Sequence, residues 1–185
     1  MAIMRNLADE IRVAELTTAL ADRLKQRIAD DPDAPWALVG IRSRGDDLAR
    51  RLAERLNLEQ VGTLDITLYR DDLSEVGPQP VVRTTEVPFD IDGVNIILVD
   101  DVLMTGRSVR AALQSLMDLG RPRRVWLTVL VDRGGRELPI AADEAGLTID
   151  SLGPRDRVKV QLKPTDEADA INIVGDRAID EEGPR

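Results

Sequence analysis

A strand, a loop, a helix and a second strand follow one another between residues 94 and 131, and this order constrains the fold most. The apolar run 94–99 predicts a buried strand. A helix is predicted over 107–119, and a second β-branched apolar run follows over 125–131. Two strands joined by a helix form a βαβ unit, so this part of the chain predicts a parallel sheet.

Apolar periodicity predicts further elements on both sides of this unit. They are helices over 7–30 and 46–56, a buried strand over 36–41, strands over 64–68 and 81–87, and short late strands around 158–162 and 171–173. The Gly- and Pro-containing segment 132–146 is predicted to be irregular, and the last ten residues, 176–185, to form a flexible acidic tail. A length of 185 residues suits a single domain.

Composition excludes several kinds of chemistry. The chain contains neither cysteine nor histidine, which removes disulfides, thiolate metal sites and nucleophiles activated by histidine. Any reaction has to use carboxylates, arginines, hydroxyls, backbone amides or a cation bound by oxygen. The net charge of −9 argues against a general surface for nucleic acid. No apolar run approaches the ~18 residues of a membrane span, and no signal peptide is apparent, so we expect no membrane partner.

The loop after the predicted strand 94–99 has the features of a phosphate site. In open α/β sheets, ligands bind beyond the carboxyl ends of the strands. The loop 104–108 leads into a helix N-terminus, whose amides and dipole favour an anion. The hydroxyls of Thr105 and Ser108 add donors, and Gly106 permits a close backbone approach.

Asp100 and Asp101 stand between this strand and this loop. An ionised carboxylate only accepts hydrogen bonds, so vicinal ribose hydroxyls suit the pair better than a second anion does. Together the two features predict a pocket for a ribose 5-phosphate. The alternative is that both aspartates merely cap the helix or begin a turn.

The whole string 94–108 resembles the phosphoribosyl pyrophosphate (PRPP) signature of the type I phosphoribosyltransferase family. The segment 39–45 looks like the pyrophosphate loop of that family. The segments 64–73 and 131–140 are similar to its uracil-specific members that regulate pyrimidine genes. The resemblance covers roughly residues 10–165. It implies an α/β fold with a central, mostly parallel sheet flanked by helices, in one domain over 1–175 with a small hood built from terminal segments.

The resemblance also implies an activity. Uracil and PRPP would give UMP and pyrophosphate in the cytoplasm, with Mg²⁺ held through PRPP and waters rather than by a direct protein ligand. Binding of pyrimidine leader mRNA, dependent on UMP or UTP, and a homodimer or higher homo-oligomer are implied as well. Two alternatives stay open: a phosphoribosyltransferase for another base, and a mainly RNA-binding, nucleotide-sensing regulator with weak catalysis.

Carried over by position, the resemblance assigns catalytic roles to Asp100, Asp101 and Arg44. The residues that it assigns to PRPP are Ser43, Arg44, Asp100, Asp101, Val102, Leu103, Met104, Thr105, Gly106, Arg107 and Ser108. It also implies a mobile flap over 69–82, with Arg70 inside the flap and Arg83 just after it. The base-binding residues that it implies are Val131, Arg133 and Val158. A cis peptide bond is expected near Arg42 and Ser43.

The chain departs from the family pattern at positions that bear on the base and on RNA. Gly135 stands where the family usually has histidine. Ala141 and Leu147 replace the usual basic residues, and each such change removes a phosphate contact and weakens salt-dependent RNA binding. These departures leave RNA regulation open while they leave the predicted PRPP pocket intact.

Overall fold

The computed structural model describes residues 2–67, 84–150, 152–153 and 156–176. Its elements are β1 (Ala2–Ala8), α1 (Glu10–Ala29), β2 (Trp36–Ile41), α2 (Gly45–Leu56), β3 (Val61–Leu64), β4 (Asn95–Leu103), α3 (Arg107–Leu119), β5 (Arg124–Asp132), β6 (Glu144–Thr148), β7 (Arg157–Gln161) and β8 (Ala170–Asp176). None of the helices in these ranges is long and apolar enough to cross a membrane.

A five-stranded sheet in the order β3-β2-β4-β5-β6 forms the centre, and all its neighbouring strands are parallel. Its two faces alternate along each strand, as the pleat requires. On β4, Ile97 packs into the core under α1 and α2, whereas Ile96 and Leu98 pack into the core under α3. Because both faces are covered, every residue of β2 is buried. The predicted α/β fold is confirmed.

A second, antiparallel sheet of three strands joins segments from both ends of the chain, in the order β1-β8-β7. Strand β1 is absent from the sequence-based prediction, which began a helix at residue 7. Helix α1 instead begins at Glu10, where the Asp9 side chain caps it by accepting the Arg12 amide at 2.9 Å. The predicted late strands are confirmed as β7 and β8. Residues 177–185 lie outside the described residues.

Three predicted boundaries were wrong. Strand β4 does not stop at residue 99 but continues to Leu103, because its ladder with β5 extends to Asp132. The strand predicted over 64–68 lies over Val61–Leu64, where it pairs with β2. The segment predicted to be irregular up to residue 146 contains the first residues of β6. Each error concerns pairing with a distant strand, which local periodicity does not report. Of the predicted strand over 81–87, the described part forms only a single bridge, between Thr63 and Glu86.

Gly40 lets the start of α2 approach the central sheet closely. A Cβ atom on this residue would lie 2.4 Å from the Asp46 Cα and 2.6 Å from its backbone nitrogen. A side chain at Gly45 would similarly meet the Val99 carbonyl oxygen at 2.6 Å. The two glycines therefore set the distance between the loop that precedes α2 and the strand that carries the aspartates.

Candidate active site

Three loops meet at the carboxyl edge of the central sheet. They follow β2, β4 and β5, which are adjacent and parallel, so their carboxyl ends lie side by side. The loops are residues 42–44, 104–106 and the segment that begins at 133. The fold thus brings the predicted pyrophosphate loop, the predicted phosphate loop and the predicted base-binding residues to one edge.

The two aspartates lie within β4, near its carboxyl end, rather than in a loop. Asp100 is buried, and its Oδ1 accepts the Asp101 amide at 2.9 Å. Asp101 Oδ1 accepts the Val102 amide at the same distance. These bonds fix both carboxylates at the strand end and do not use them to cap α3, so the capping alternative does not describe this site.

The pKa of Asp101 is raised above its ordinary value because burial disfavours the charged form. A hydrogen bond with Asp100 and the positive charge of Arg44 oppose this effect without cancelling it. A carboxylate that has lost part of its hydration interacts strongly with hydroxyl donors and with nearby positive charge. The pair is therefore suited to hold a ribose and to stabilise cationic charge that develops on it.

The bend between β4 and α3 presents the N-terminal amides of a helix. Gly106 precedes the helix with φ +91° and has no side chain to cap it, and the first turn has no acidic residue. The Thr105 hydroxyl accepts the Arg107 amide at 3.3 Å. Helix N-terminal amides without a side-chain partner are a ready anion site. The bend is consequently suited to a phosphate group.

Arg136 and its neighbours hold this bend in place. The Thr105 carbonyl accepts the amides of Glu137 and Leu138 at 3.0 and 3.1 Å. Arg136 donates to the Met104 carbonyl at 2.9 Å and to Asp132 Oδ2 at 2.6 Å. It thereby ties the bend after β4 to the end of β5. The sequence-based prediction did not single out this arginine.

The predicted pyrophosphate loop has unusual backbone geometry. The peptide bond between Arg42 and Ser43 is cis, as expected, and Arg44 has a positive φ of +70°. Arg44 makes a bidentate pair with Asp166, with N···O distances of 2.8 and 2.9 Å. The predicted pyrophosphate contact is therefore already engaged with a carboxylate that lies 122 residues further along the chain.

Two buried carboxylates behind this loop were missed by the sequence-based prediction. Asp46 and Asp47 are 7% and 3% exposed in the first turn of α2. Arg50 pairs with both, at 3.3 and 3.0 Å, and Arg42 Nε lies 3.6 Å from Asp46. In the sequence they look like ordinary acidic residues of a helix start. Their burial follows from the close approach of α2 to the sheet. In the sequence, Gly45 is only an indirect sign of this approach.

Beyond the end of β5 lies a cavity of about 710 Å³. Its lining residues are Met104, Asp132, Arg133, Gly134, Gly135, Arg136, Ile140, Ala141, Thr148, Ile149, Asp150 and Leu152. Arg133 is only 6% exposed and donates from Nη2 to the Gly153 carbonyl at 3.3 Å. Its Nε and Nη1 have no partner among the residues that the structure describes. A buried guanidinium with unused donors favours a ligand with acceptor oxygens.

The other predicted site residues are placed less centrally. Val131 is fully buried in the sheet, and Val158 packs against the core from β7, so the side chains of both lie outside this cavity. Arg70 and Arg83, the predicted flap residues, lie outside the described part of the chain. The structure thus brings together the aspartates, the phosphate bend, Arg44 and Arg133.

The fold and this edge of the sheet define a phosphoribosyltransferase, and comparison with known families agrees. The family model described as the phosphoribosyl transferase domain matches residues 8–160, and the chain belongs to this family. Within it, the chain belongs with the bifunctional proteins named PyrR. It is 52% identical to the bifunctional protein PyrR of Deinococcus deserti over 171 residues, which cover 90% of this chain and 91% of that protein. It is 53% identical to that of Thermus thermophilus over 177 residues, covering 92% and 97%.

Solved structures support the fold. The hypoxanthine phosphoribosyltransferase of Trypanosoma cruzi superposes with a TM-score of 0.67 at 19% identity, covering 91% of this chain and 94% of that one. An HGPRT-ase from Leishmania tarentolae, solved in complex with GMP, gives a TM-score of 0.65 at 17% identity, covering 94% and 97%. At such low identity these comparisons establish the architecture alone.

Proposed function

We propose that the chain transfers the phosphoribosyl group of PRPP to uracil, giving UMP and pyrophosphate. The observation that carries this proposal is the fixed aspartate pair at the end of β4 beside the N-terminal amides of α3. The identity of about 50% to PyrR proteins over nine-tenths of the chain supports uracil as the acceptor. A location in the cytoplasm follows from the proposed substrates, since charged nucleotide precursors do not cross membranes unaided.

The proposed reaction breaks the bond between ribose C1 and the pyrophosphate oxygen, and pyrophosphate leaves with the bonding electron pair. Uracil N1 forms the new bond to C1 and releases its proton to the departing pyrophosphate or to solvent. Such a centre passes through an oxocarbenium-like state, as in other glycosyl transfers. Asp100 and Asp101 would accept hydrogen bonds from the ribose hydroxyls and stabilise the cationic ring. The amides before α3 would hold the 5-phosphate, and the arginine at the pyrophosphate loop would stabilise the leaving group.

We also propose that Mg²⁺ acts with PRPP. Among residues 2–67, 84–150, 152–153 and 156–176 there is no group of three or more acidic side chains that could hold a metal ion. The oxygen-rich donor set of Asp100, Asp101 and the PRPP oxygens nevertheless suits a hard cation. The ion would thus be held by PRPP and water, with the two aspartates accepting hydrogen bonds from that water. When bound, it neutralises charge on pyrophosphate.

The Arg133→Met variant is expected to raise the KM for uracil about tenfold and leave the KM for PRPP unchanged. The reason is that the unused donors of this buried guanidinium can bond to a carbonyl oxygen of uracil. Removing a buried, incompletely paired charge also raises the midpoint of thermal unfolding of the free protein. Steady-state kinetics and thermal unfolding check both parts. An unchanged KM for uracil would remove Arg133 from the base site.

The proposed acceptor is tested by measuring pyrophosphate release with PRPP and Mg²⁺ in the presence of uracil, hypoxanthine or orotate. Turnover with uracil alone is the expected result. Turnover with hypoxanthine or orotate instead would favour the alternative of another base while retaining the phosphoribosyltransferase class.

Regulation through pyrimidine leader RNA is the second candidate function, and the word bifunctional in the names of the relatives favours it. The structure offers it little support. Leu147 packs against the core, and Arg27 lies 4.0 Å from the Trp126 ring centroid, which covers that aromatic face. A gel shift with a pyrimidine leader RNA, with and without UMP, separates the two functions. Tight RNA binding at physiological salt without detectable UMP synthesis would make RNA regulation the main function.

A homodimer or larger assembly, which we also propose, is tested by light scattering in the same buffers.

A further inference from the structure

Two bidentate Arg–Asp pairs fasten the segment between β7 and β8 to α2 and to Arg44, the residue just before it. Arg44 donates from Nε to Asp166 Oδ2 at 2.8 Å and from Nη2 to Oδ1 at 2.9 Å. Arg51 donates from Nη1 and Nη2 to the two carboxylate oxygens of Asp169. Bidentate pairs are the strongest and most directional contacts between these ions. The two pairs join the same parts of the chain, but only Arg44 belongs to the predicted pyrophosphate loop.

Asp166 is also held by its own segment. The Leu162 amide donates to Asp166 Oδ2 at 2.8 Å, and the Asp166 amide donates to the Leu162 carbonyl oxygen at 2.8 Å. The hydrogen bond from Arg44 lowers the pKa of Asp166, so its carboxylate is ionised at neutral pH. Asp166 therefore presents a fixed negative charge that determines where the guanidinium lies.

The pair leaves part of the Arg44 guanidinium available. An arginine has five N–H donors, and this pair uses one on Nε and one on Nη2. The remaining donors make no hydrogen bond to any residue that the structure describes, and 27% of the Arg44 side chain is exposed. The charge of Asp101 acts on Arg44, which places the guanidinium within electrostatic range of the aspartate pair.

We propose that Asp166 is a positioning residue for phosphoribosyl transfer, which holds the Arg44 guanidinium so that its remaining donors meet the pyrophosphate group of PRPP. This inference rests on the proposed function. A long, flexible side chain loses rotamer freedom when it binds a ligand, and that loss weakens binding. In this chain the loss occurs on folding, because Asp166 already fixes Arg44. Asp166 itself touches neither the substrate nor the reacting atoms.

The test compares Asp166→Asn with Asp169→Asn in the full chain. Both substitutions preserve side-chain shape, remove one negative charge from the same segment and disrupt one bidentate Arg–Asp pair. Calorimetric titration with inorganic pyrophosphate gives Kd, and steady-state kinetics give kcat and both KM values. Asp166→Asn is expected to raise the Kd of pyrophosphate and the KM of PRPP about tenfold, with the KM of uracil unchanged. Asp169→Asn keeps wild-type values for all of these, although both variants unfold at lower temperature.

Equal effects of the two variants on pyrophosphate binding would make Asp166 a structural tie and overturn the proposal. An unchanged pyrophosphate Kd in Asp166→Asn would do the same. Asp166→Glu, which keeps the charge, is expected to lie between wild type and Asp166→Asn, and a weaker affinity than that of Asp166→Asn would also contradict the proposal. A wild-type chain that binds pyrophosphate but forms no UMP would refute the proposed uracil activity, and the titrations would still decide the role of Asp166.

Discussion

The Asp101→Asn variant is expected to lose about 100-fold in kcat/KM for PRPP and to unfold at a higher temperature than the wild type at pH 7. Activity falls because the amide carries no charge to accept ribose hydroxyls strongly or to stabilise the cationic ring. The local fold is retained, since an amide oxygen can still accept the Val102 amide. Steady-state kinetics and thermal unfolding of the free protein measure the two effects.

The gain in stability follows from the raised pKa of Asp101. In the unfolded chain this carboxyl ionises around its ordinary value of 3.8, whereas in the folded chain it keeps its proton to higher pH. The folded state then binds more protons than the unfolded state, so the stability of the wild type falls as pH rises through this window. The Asp101→Asn variant has no ionisable group at this position, so it does not lose this stability as pH rises. Its advantage in unfolding temperature, about 2–4 °C for each kcal/mol, is therefore present at pH 7 and absent at pH 3.

Asp22→Asn is the matched control, because this aspartate is exposed on α1 and has only a loose pair with Lys25 at 3.6 Å. It should leave kcat/KM unchanged. Unaltered kcat/KM in Asp101→Asn would contradict the assigned role of the aspartate. An unfolding temperature lower than that of the wild type at pH 7 would contradict the account of its pKa.

The Gly40→Ala variant is expected to lose about 3 kcal/mol of stability, at the upper end of the range for overpacked cores. Its new methyl group would meet the backbone of Asp46 at 2.4 and 2.6 Å, and a backbone cannot rotate away as a side chain can. Helix α2 has to move outward and take the pyrophosphate loop with it. Denaturant unfolding measures the loss, and the KM for PRPP should rise in the fraction that folds.

Gly93→Ala separates this clash from the conformational freedom of glycine. Gly93 has φ +74°, and no atom lies within 4 Å of a Cβ built on it. The substitution therefore carries only the cost of a left-handed backbone, about 1–2 kcal/mol, and leaves the KM for PRPP unchanged. If Gly40→Ala proves no more destabilising than Gly93→Ala, the close approach of α2 to β2 does not determine the stability of this region.

The parts of the fold that the sequence predicts well are those in which local periodicity and burial coincide. Strand β2 and helix α3 have the predicted bounds, because runs of apolar residues or a four-residue spacing reflect their packing directly. Strand β1 was missed because only its pairing with β8, at the other end of the chain, makes it a strand. The extension of β4 through the aspartates likewise depends on β5.

In the candidate site, too, the features that depend on local sequence could be predicted, whereas those that depend on distant contacts could not. The aspartate pair and the phosphate bend occupy consecutive residues, so their chemistry can be inferred from one short string. The contact between Arg44 and Asp166 spans 122 residues, and no local pattern connects them. The burial of Asp46 and Asp47 depends on two glycines that bring a helix against a sheet. Tertiary approach, which residue type alone does not encode, determines these features.

The order of strands in the central sheet also has a kinetic consequence. Strands β2 and β4 are hydrogen-bonded neighbours, although residues 42–94 separate them along the chain. Bringing β2 and β4 together costs chain entropy before the hydrogen bonds between the strands form. Pairings between strands so distant in sequence therefore slow folding. During synthesis, β2 emerges from the ribosome well before the strand that covers its inner edge. The unpaired backbone edge of β2 is then open to wrong pairing until β4 arrives, which makes this interval the step at which a chaperone would help the chain most.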